Sequence, residues 1–145
     1  YRSNPYSVTK KFNENIKSVT DAYLAKIRRF LDKTYPNDKN IIRNFYRYRC
    51  GLALISNFEL NLFNPNNKKP IKQRKNEFLK LIAEEPYRTA LATADGMNGH
   101  KSRLLLKLAA KGRFFAIKFA YRCPAVFKIY GGICRRTEGK HWKKQ

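Results

Sequence analysis

Acidic residues are scarce in this sequence. Ten Asp and Glu stand against 32 Lys and Arg among 145 residues, which gives a formal net charge of +22 at pH 7. Self-repulsion on this scale opposes a compact state unless an anionic partner neutralises it. A polyphosphate is favoured as that partner, because each phosphate contact releases condensed counterions. The shortage of acids therefore predicts that the protein binds a nucleic acid.

Cysteines are few, and long apolar runs are missing. Cys50, Cys123 and Cys134 are odd in number and widely spaced, which argues against a disulfide framework and for free thiols in a reducing, intracellular compartment. Cys123, Cys134 and His141 lack the close, recurrent spacing of zinc ligands, so we expect no metal and no cofactor. No apolar run approaches the ~20 residues of a membrane span. We therefore expect no membrane insertion.

Motifs of catalysis are missing as well. The sequence has neither a phosphate-binding glycine loop followed by Lys-Ser/Thr nor a Gly-x-Ser-x-Gly motif. Of the two histidines, His100 follows a turn near Asp95 and is the candidate for a general base. An exposed histidine at a helix N-terminus is the favoured interpretation. We predict that the protein is not an enzyme, and a small basic nuclease is the second alternative.

What the chain does contain is a large apolar and aromatic fraction. Hydrophobic residues make up 43% and aromatic residues 14% of the sequence, far more than in a histone tail. The charge is therefore expected on a folded body, and the length suits a single nucleic-acid-binding domain over residues 1–145. The Asn- and Pro-rich loop 64–70 is the one candidate for a subdivision.

Apolar residues recur every three or four positions along most of the chain. This spacing predicts helices over 9–33, 38–58, 71–84, 86–94 and 100–111. The predicted fold class is mainly α, a compact bundle of four or five helices. The predicted core consists of Phe12, Ile16, Val19, Tyr23, Ile27, Ile41, Phe45, Leu52, Phe78, Ile82, Leu105 and Leu108.

The segment 113–130 has a different pattern. Large apolar residues alternate there with smaller or charged ones, which favours a small C-terminal β-hairpin ended by Gly131 and Gly132. A helix broken at Pro124 is the alternative that the same residues allow. An amphipathic helix 9–33 lying on a membrane is disfavoured, because so much aromatic surface requires burial.

Basic residues concentrate in three parts of the chain. Arginines alternate with aromatic residues over 43–49, lysines crowd 68–75, and residues 101–145 contain 13 Lys and Arg against one acid, Glu138. Arginine beside aromatic rings suits phosphate clamping and base stacking. The predicted nucleic-acid-binding residues are Arg43, Arg47, Arg49, Lys68, Lys69, Lys72, Arg74, Lys75, Lys101, Arg103, Lys107, Lys111, Arg113, Arg122, Arg135, Arg136, Lys140, Trp142, Lys143 and Lys144.

The spread of charge over several segments favours RNA over DNA. We expect a non-enzymatic structural RNA-binding protein, most concretely a ribosomal protein that contacts rRNA phosphates, within a large ribonucleoprotein. A viral structural protein that lines a capsid or condenses a genome is the first alternative. A helix-turn-helix over 86–111 that reads DNA is disfavoured, because its turn is long.

Composition also bears on where the protein acts. Lys outnumbers Arg and Asn is frequent, which hints at an AT-rich coding genome. A mitochondrion or another organelle fits that hint, and so does a virion. The chain begins at Tyr1 rather than Met, which fits either the removal of a leader or a trimmed sequence.

Overall fold

Helices account for most of the chain. The computed structural model describes the backbone over 11–92 and 94–141, and the side chains over 11–135 except at positions 93 and 95. A π-helical turn, Phe58–Leu62, extends the second helix, and a 3₁₀ turn, Ala94–Gly96, precedes the fifth. The α-helices of this part are α1 Ile16–Thr34, α2 Lys39–Asn57, α3 Ile71–Ala83, α4 Tyr87–Leu91, α5 His100–Ala110, α6 Phe114–Arg122 and α7 Ala125–His141.

The mainly helical fold class is confirmed, but the described ranges contain seven α-helices rather than four or five, and the β-hairpin is wrong. No strand occurs in the described ranges, and α6 and α7 occupy the segment where the hairpin was expected. Residues two positions apart on a helix point in nearly opposite directions, about 200° apart. A short run in which apolar residues alternate with others therefore also fits a helix that has apolar residues on two opposite sides. In α6 Ile117 is buried and Phe119 is 61% exposed. The chain breaks at Pro124, as the alternative required.

Two glycines allow helices to approach closely. A Cβ at Gly131, inside α7, would lie 3.1 Å from Cδ2 of His100 at the start of α5. A Cβ at Gly51, inside α2, would lie 3.1 Å from Sδ of Met97. Gly131 therefore lets α7 pack on α5, and the prediction that it ends a hairpin is wrong.

A cluster of aromatic rings forms the centre of the core. The Phe58 and Phe78 ring centroids are 5.6 Å apart, and Phe63 lies 5.1 Å from Phe114 and 5.4 Å from Tyr121. Burial of rings of this size dominates core energetics. These rings come from both sides of loop 64–70, so one hydrophobic cluster joins the parts of the chain before and after that loop. None of the described helices is long and apolar enough to span a bilayer.

The core prediction is partly confirmed. Residues Ile16, Phe78 and Leu105 are buried, and five others are partly buried. Four predicted core residues are wrong, because they are at least 42% exposed: Val19, Tyr23, Ile41 and Phe45. The residues that α1 and α2 bury lie about one position along the chain from the residues predicted to be buried, so each helix is rotated about its axis relative to the prediction.

A buried polar network explains the rotation of α1. Thr20, one residue after Val19, lies inside the molecule, where its Oγ1 accepts a 3.0 Å hydrogen bond from Asn57 Nδ2. The hydroxyl of Tyr87 donates to Asp21 Oδ1 over 2.6 Å and is 3.1 Å from the Thr20 hydroxyl. Burial, reinforced by Asp21, raises the pKa of Tyr87. The spacing of apolar residues cannot predict the buried side of a helix correctly where a polar residue such as Thr20 is buried.

Candidate nucleic-acid interface

Ion pairs divide the basic residues into two groups. Seven of the ten acids form ion pairs in the described part of the chain, with only five cations: Lys17, Arg28, Lys69, Arg88 and Lys101. An eighth acid, Asp38, caps α2 by accepting from two backbone N–H groups. Most of the other Lys and Arg among the described residues therefore have no acid to neutralise them, and they are the ones available to an external anion.

Three cations with no acid line one pocket, which we call the basic pocket. Loop 63–67 and helices α3 and α6 enclose about 290 Å³. Its cations are Arg74 on α3 and Lys118 and Arg122 on α6. None of these three forms an ion pair within the described residues. The other lining residues are Phe63, Asn64, Pro65, Asn67 and Tyr121.

Local sequence fixes the geometry of the basic pocket. Lys118 and Arg122 are one helical turn apart, so both point to the same side of α6. The loop is held by its asparagines: Asn64 Oδ1 accepts from the Asn66 N–H at 3.0 Å, and Asn67 Nδ2 donates to the Asn61 carbonyl at 3.0 Å. These bonds satisfy backbone groups of the loop and of the preceding turn, and so hold the loop in place. The predicted turn at 64–70 thus forms one wall of a cationic site.

The cations of the basic pocket influence one another. Partial burial lowers the pKa of Lys118, and the charges of Arg122 and Arg74 lower it further. Arg74 donates from Nη1 to the Leu62 carbonyl over 3.3 Å, and its Nε is buried with no partner among the described residues. Like charges held this close are relieved when an anion binds between them. The pocket is therefore suited to a phosphate group.

Two exposed phenylalanines flank the basic pocket on α6. Phe115 is 59% and Phe119 61% exposed, although rings of this size are usually buried. The Lys75 ammonium lies 5.7 Å from the centroid of the Phe115 ring. Sequence reasoning left Phe115, Phe119 and Lys118 out of the predicted site. Phe115 and Phe119 are four residues apart, and so are Lys118 and Arg122. This spacing would have placed each pair on one side of a helix, had the segment been interpreted as helical.

A second basic surface, which we call the α1–α2 groove, has about 550 Å³ between the end of α1, the start of α2 and the start of α4. Arg43 and Arg47 line it one helical turn apart, whereas Arg49 does not. Arg49 instead lies with its guanidinium carbon 5.0 Å from the Phe45 centroid. Two acids also line this groove, Asp32 and Glu85.

Several predicted binding residues have partners within the fold. The Lys69 ammonium lies 2.9 Å from Glu14 and 3.0 Å from Glu77. Lys101 pairs with Glu59 and lies 5.4 Å from the Tyr121 centroid. Arg103 Nε donates to the Met97 carbonyl at 2.9 Å, and Lys107 lies near Tyr130. Two of the three basic residues on α5, the helix that a helix-turn-helix would use to read DNA, are thereby engaged internally: Lys101 and Arg103.

The remaining predicted residues are dispersed. Lys68, Lys72, Lys75, Lys111, Arg113 and Arg135 are exposed. The side chains of Arg136 and Lys140 lie outside the described residues, as do Trp142, Lys143 and Lys144.

Of the residues considered for catalysis, His100 is the one whose side chain lies within the described residues. The His100 ring packs against Gly131, and its Nδ1 is buried with no hydrogen-bond partner in the described part. The side chain of Asp95, its suspected partner, lies outside the described residues. No group of three or more His, Cys, Asp or Glu within those residues is arranged to hold a metal ion.

Comparisons add no relative. Protein-family models, curated proteins and solved structures were searched, and none matches this chain significantly.

Proposed function

We propose that this protein is a non-enzymatic structural RNA-binding protein that contacts phosphates through several separate basic surfaces. The observation that carries the proposal is the basic pocket, where three cations meet without an acid. A fold gains nothing from such an arrangement alone, because like charges repel. An arrangement that costs the free protein stability is expected where a ligand is bound.

The position of the second surface supports a folded RNA as the ligand. The α1–α2 groove and the basic pocket share no lining residue and are built from different helices. A ligand that contacts both must present phosphate over an extended or irregular surface, as a folded RNA does. We propose a large ribonucleoprotein as the setting, most concretely a ribosome. The Lys- and Asn-rich composition supports an organellar one.

A salt titration tests the electrostatic basis of the proposal. We expect the affinity for a structured rRNA fragment, measured by filter binding, to fall ~10³-fold or more between ~50 and ~200 mM KCl, as for proteins that make at least six phosphate contacts. Duplex DNA of equal length should bind more weakly at each salt concentration. A flat salt response, or tighter binding of DNA, would contradict the proposal.

Purification of the native protein at low salt tests the setting. We expect it to sediment with particles that contain rRNA. Sedimentation with a capsid, or assembly into large particles without RNA, would favour a virion protein instead. Cleavage of RNA that is lost on His100→Ala would show a nuclease and would contradict the non-enzymatic role.

A further inference from the structure

The exposed rings of α6 need an explanation that the phosphate contacts do not supply. Phe115 and Phe119 lie one helical turn apart on the same side of the helix, and both are more than half exposed. Phe119 makes no ring or cation contact with any described residue. Adjacent exposed rings of this size are typical of a surface that a partner covers.

Charge identifies the partner class. The row of Lys118 and Arg122 lies beside the row of Phe115 and Phe119 on the same short helix, at three-residue spacing. Any partner that covers the rings must also lie against these unpaired cations. An apolar protein surface would desolvate them without compensation, which is costly. A nucleic acid offers both a ring face for stacking and a phosphate for the cations.

The exposed ring faces select a single strand over a duplex. Bases within an A-form helix have both faces covered by their neighbours, so only unpaired bases can stack on a protein ring. A phosphate beside such a base can enter the basic pocket, where Arg74 on α3 completes the set of cations. Duplex RNA could contact the cations and would leave the rings bare.

We infer that α6 binds a single-stranded segment of RNA, with an unpaired base stacked on Phe119 or Phe115 and a neighbouring phosphate held by Arg74, Lys118 and Arg122. This inference rests on the proposed RNA-binding function and adds the kind of RNA. It assigns the rings and the cations to one composite site.

The test compares single-stranded with duplex RNA on the full chain. The double variant Phe115→Leu/Phe119→Leu keeps apolar, helix-compatible side chains and removes the rings. Fluorescence anisotropy with a labelled 12-nucleotide single strand should show a loss of affinity of about tenfold or more, since base–aromatic stacking contributes substantially per base. The affinity for a 12-base-pair RNA duplex should stay within about twofold. The matched control is Phe30→Leu, because Phe30 is 62% exposed and lies on α1, which contributes no residue to the basic pocket.

A spectroscopic signal separates stacking from general binding. A single strand that carries 2-aminopurine should lose fluorescence when it stacks on the wild-type protein, and the double Leu variant should abolish that change. Arg74→Gln/Lys118→Gln/Arg122→Gln should lower the slope of log affinity against log salt by about 0.7 per phosphate released.

The outcomes distinguish failure of the inference from failure of the proposed function. Equal single-strand affinity for the wild type and the Leu variant would overturn the inference and leave RNA binding intact. A wild-type protein that binds no RNA would overturn the proposed function, and the inference with it. A dimer in sedimentation that dissociates on Phe115→Leu/Phe119→Leu, with unchanged RNA binding, would show that a second copy covers the rings, and would also overturn the inference.

Discussion

The α1–α2 groove and the basic pocket contain the same types of cation, but their surroundings differ. In the groove, Arg28 pairs with Asp32 at 3.0 Å and lies 5.5 Å from the Tyr46 centroid. Glu85 pairs with Arg88 at 3.0 Å, and its bond to the Thr89 hydroxyl lowers its pKa, so it stays ionised. In the basic pocket, no acid among the described residues pairs with Arg74, Lys118 or Arg122. Cations in the groove are partly neutralised by the protein, whereas those in the pocket are left for a ligand.

The two surfaces also rest on different supports. The basic pocket is lined by Phe63 and Tyr121, which belong to the central aromatic cluster, and their rings stack at an angle of 18°. The groove is lined by residues near the end of α1 and the starts of α2 and α4, and Ile42 is the one buried side chain among them. A binding site that rests on a rigid core is better preorganised than one on helix ends. We therefore expect the pocket, not the groove, to dominate binding.

The largest effect is expected from removal of the aromatic support. Phe114 is buried, and its ring centroid is 5.6 Å from that of Phe78. Phe114→Ala should lower the free energy of unfolding by about 3–5 kcal/mol, because it leaves a cavity. Urea denaturation measures the loss. Phe115→Ala, at the exposed neighbour, is the matched control and should cost less than about 1 kcal/mol; equal losses would contradict this account of the core.

Inorganic phosphate should distinguish the two surfaces without any RNA. At ten times its dissociation constant, an anion that binds only the folded state adds about 1.4 kcal/mol of stability. We expect a phosphate-dependent rise in Tm for the wild type that Arg74→Gln/Arg122→Gln abolishes. Arg43→Gln/Arg47→Gln in the groove is the control and should retain the rise. Loss of the rise in the groove variant alone would reverse the comparison.

Lys118 and Lys101 should respond in opposite directions to the same substitution. Lys118→Gln relieves repulsion from Arg74 and Arg122, so the Tm of the free protein should rise by about 2 °C while RNA affinity falls. Lys101→Gln removes the ion pair with Glu59 and the contact with the Tyr121 ring, so Tm should fall by about 2 °C. Thermal denaturation at low salt measures both; a fall for Lys118→Gln would show that its role is structural.

Reagents that label thiols report on the core beneath both surfaces. Cys50 is buried, and burial raises its pKa to about 11. The reactive thiolate of Cys50 is therefore almost absent from the folded protein at pH 8. Iodoacetamide should label Cys50 only after denaturation, as measured by peptide mass spectrometry. Labelling of Cys50 at the same rate in the folded and unfolded states would contradict its burial.

The sequence predicts the helices better than it predicts their rotation. Periodic apolar residues locate α1 to α5 to within a few residues, apart from an early start for α1. The inward rows are misassigned where apolar residues occur on two adjacent rows, as at Ile41 and Ile42. Only tertiary contacts determine which of two neighbouring apolar residues is buried. At Thr20 the buried residue is polar, so a prediction based on apolar residues alone fails.

The candidate site could be predicted in its residue types but not in its grouping. Arg74 and Arg122 are far apart in sequence, and only the packing of α6 near α3 brings them into one pocket. Lys69 and Lys68 are equivalent in sequence, yet in the fold Lys69 forms ion pairs with Glu14 and Glu77. Net charge identifies a class of partner, whereas the ion pairs between distant segments decide which cations stay available.

The smallest expected effect comes from making the groove resemble the basic pocket. Asp32→Asn removes an acid from the groove and frees Arg28, at a stability cost of about 0.3–0.5 kcal/mol for an exposed helical ion pair. If unneutralised cations determine binding, RNA affinity should rise about twofold, and the slope of log affinity against log salt should steepen by up to about 0.9. Filter binding across a salt series measures both. Glu14→Gln is the control, because Glu14 is exposed and pairs with Lys69 outside both the groove and the basic pocket. An unchanged slope for Asp32→Asn would mean that RNA does not reach the groove, and the basic pocket would then be the only one of the two surfaces in contact with phosphate.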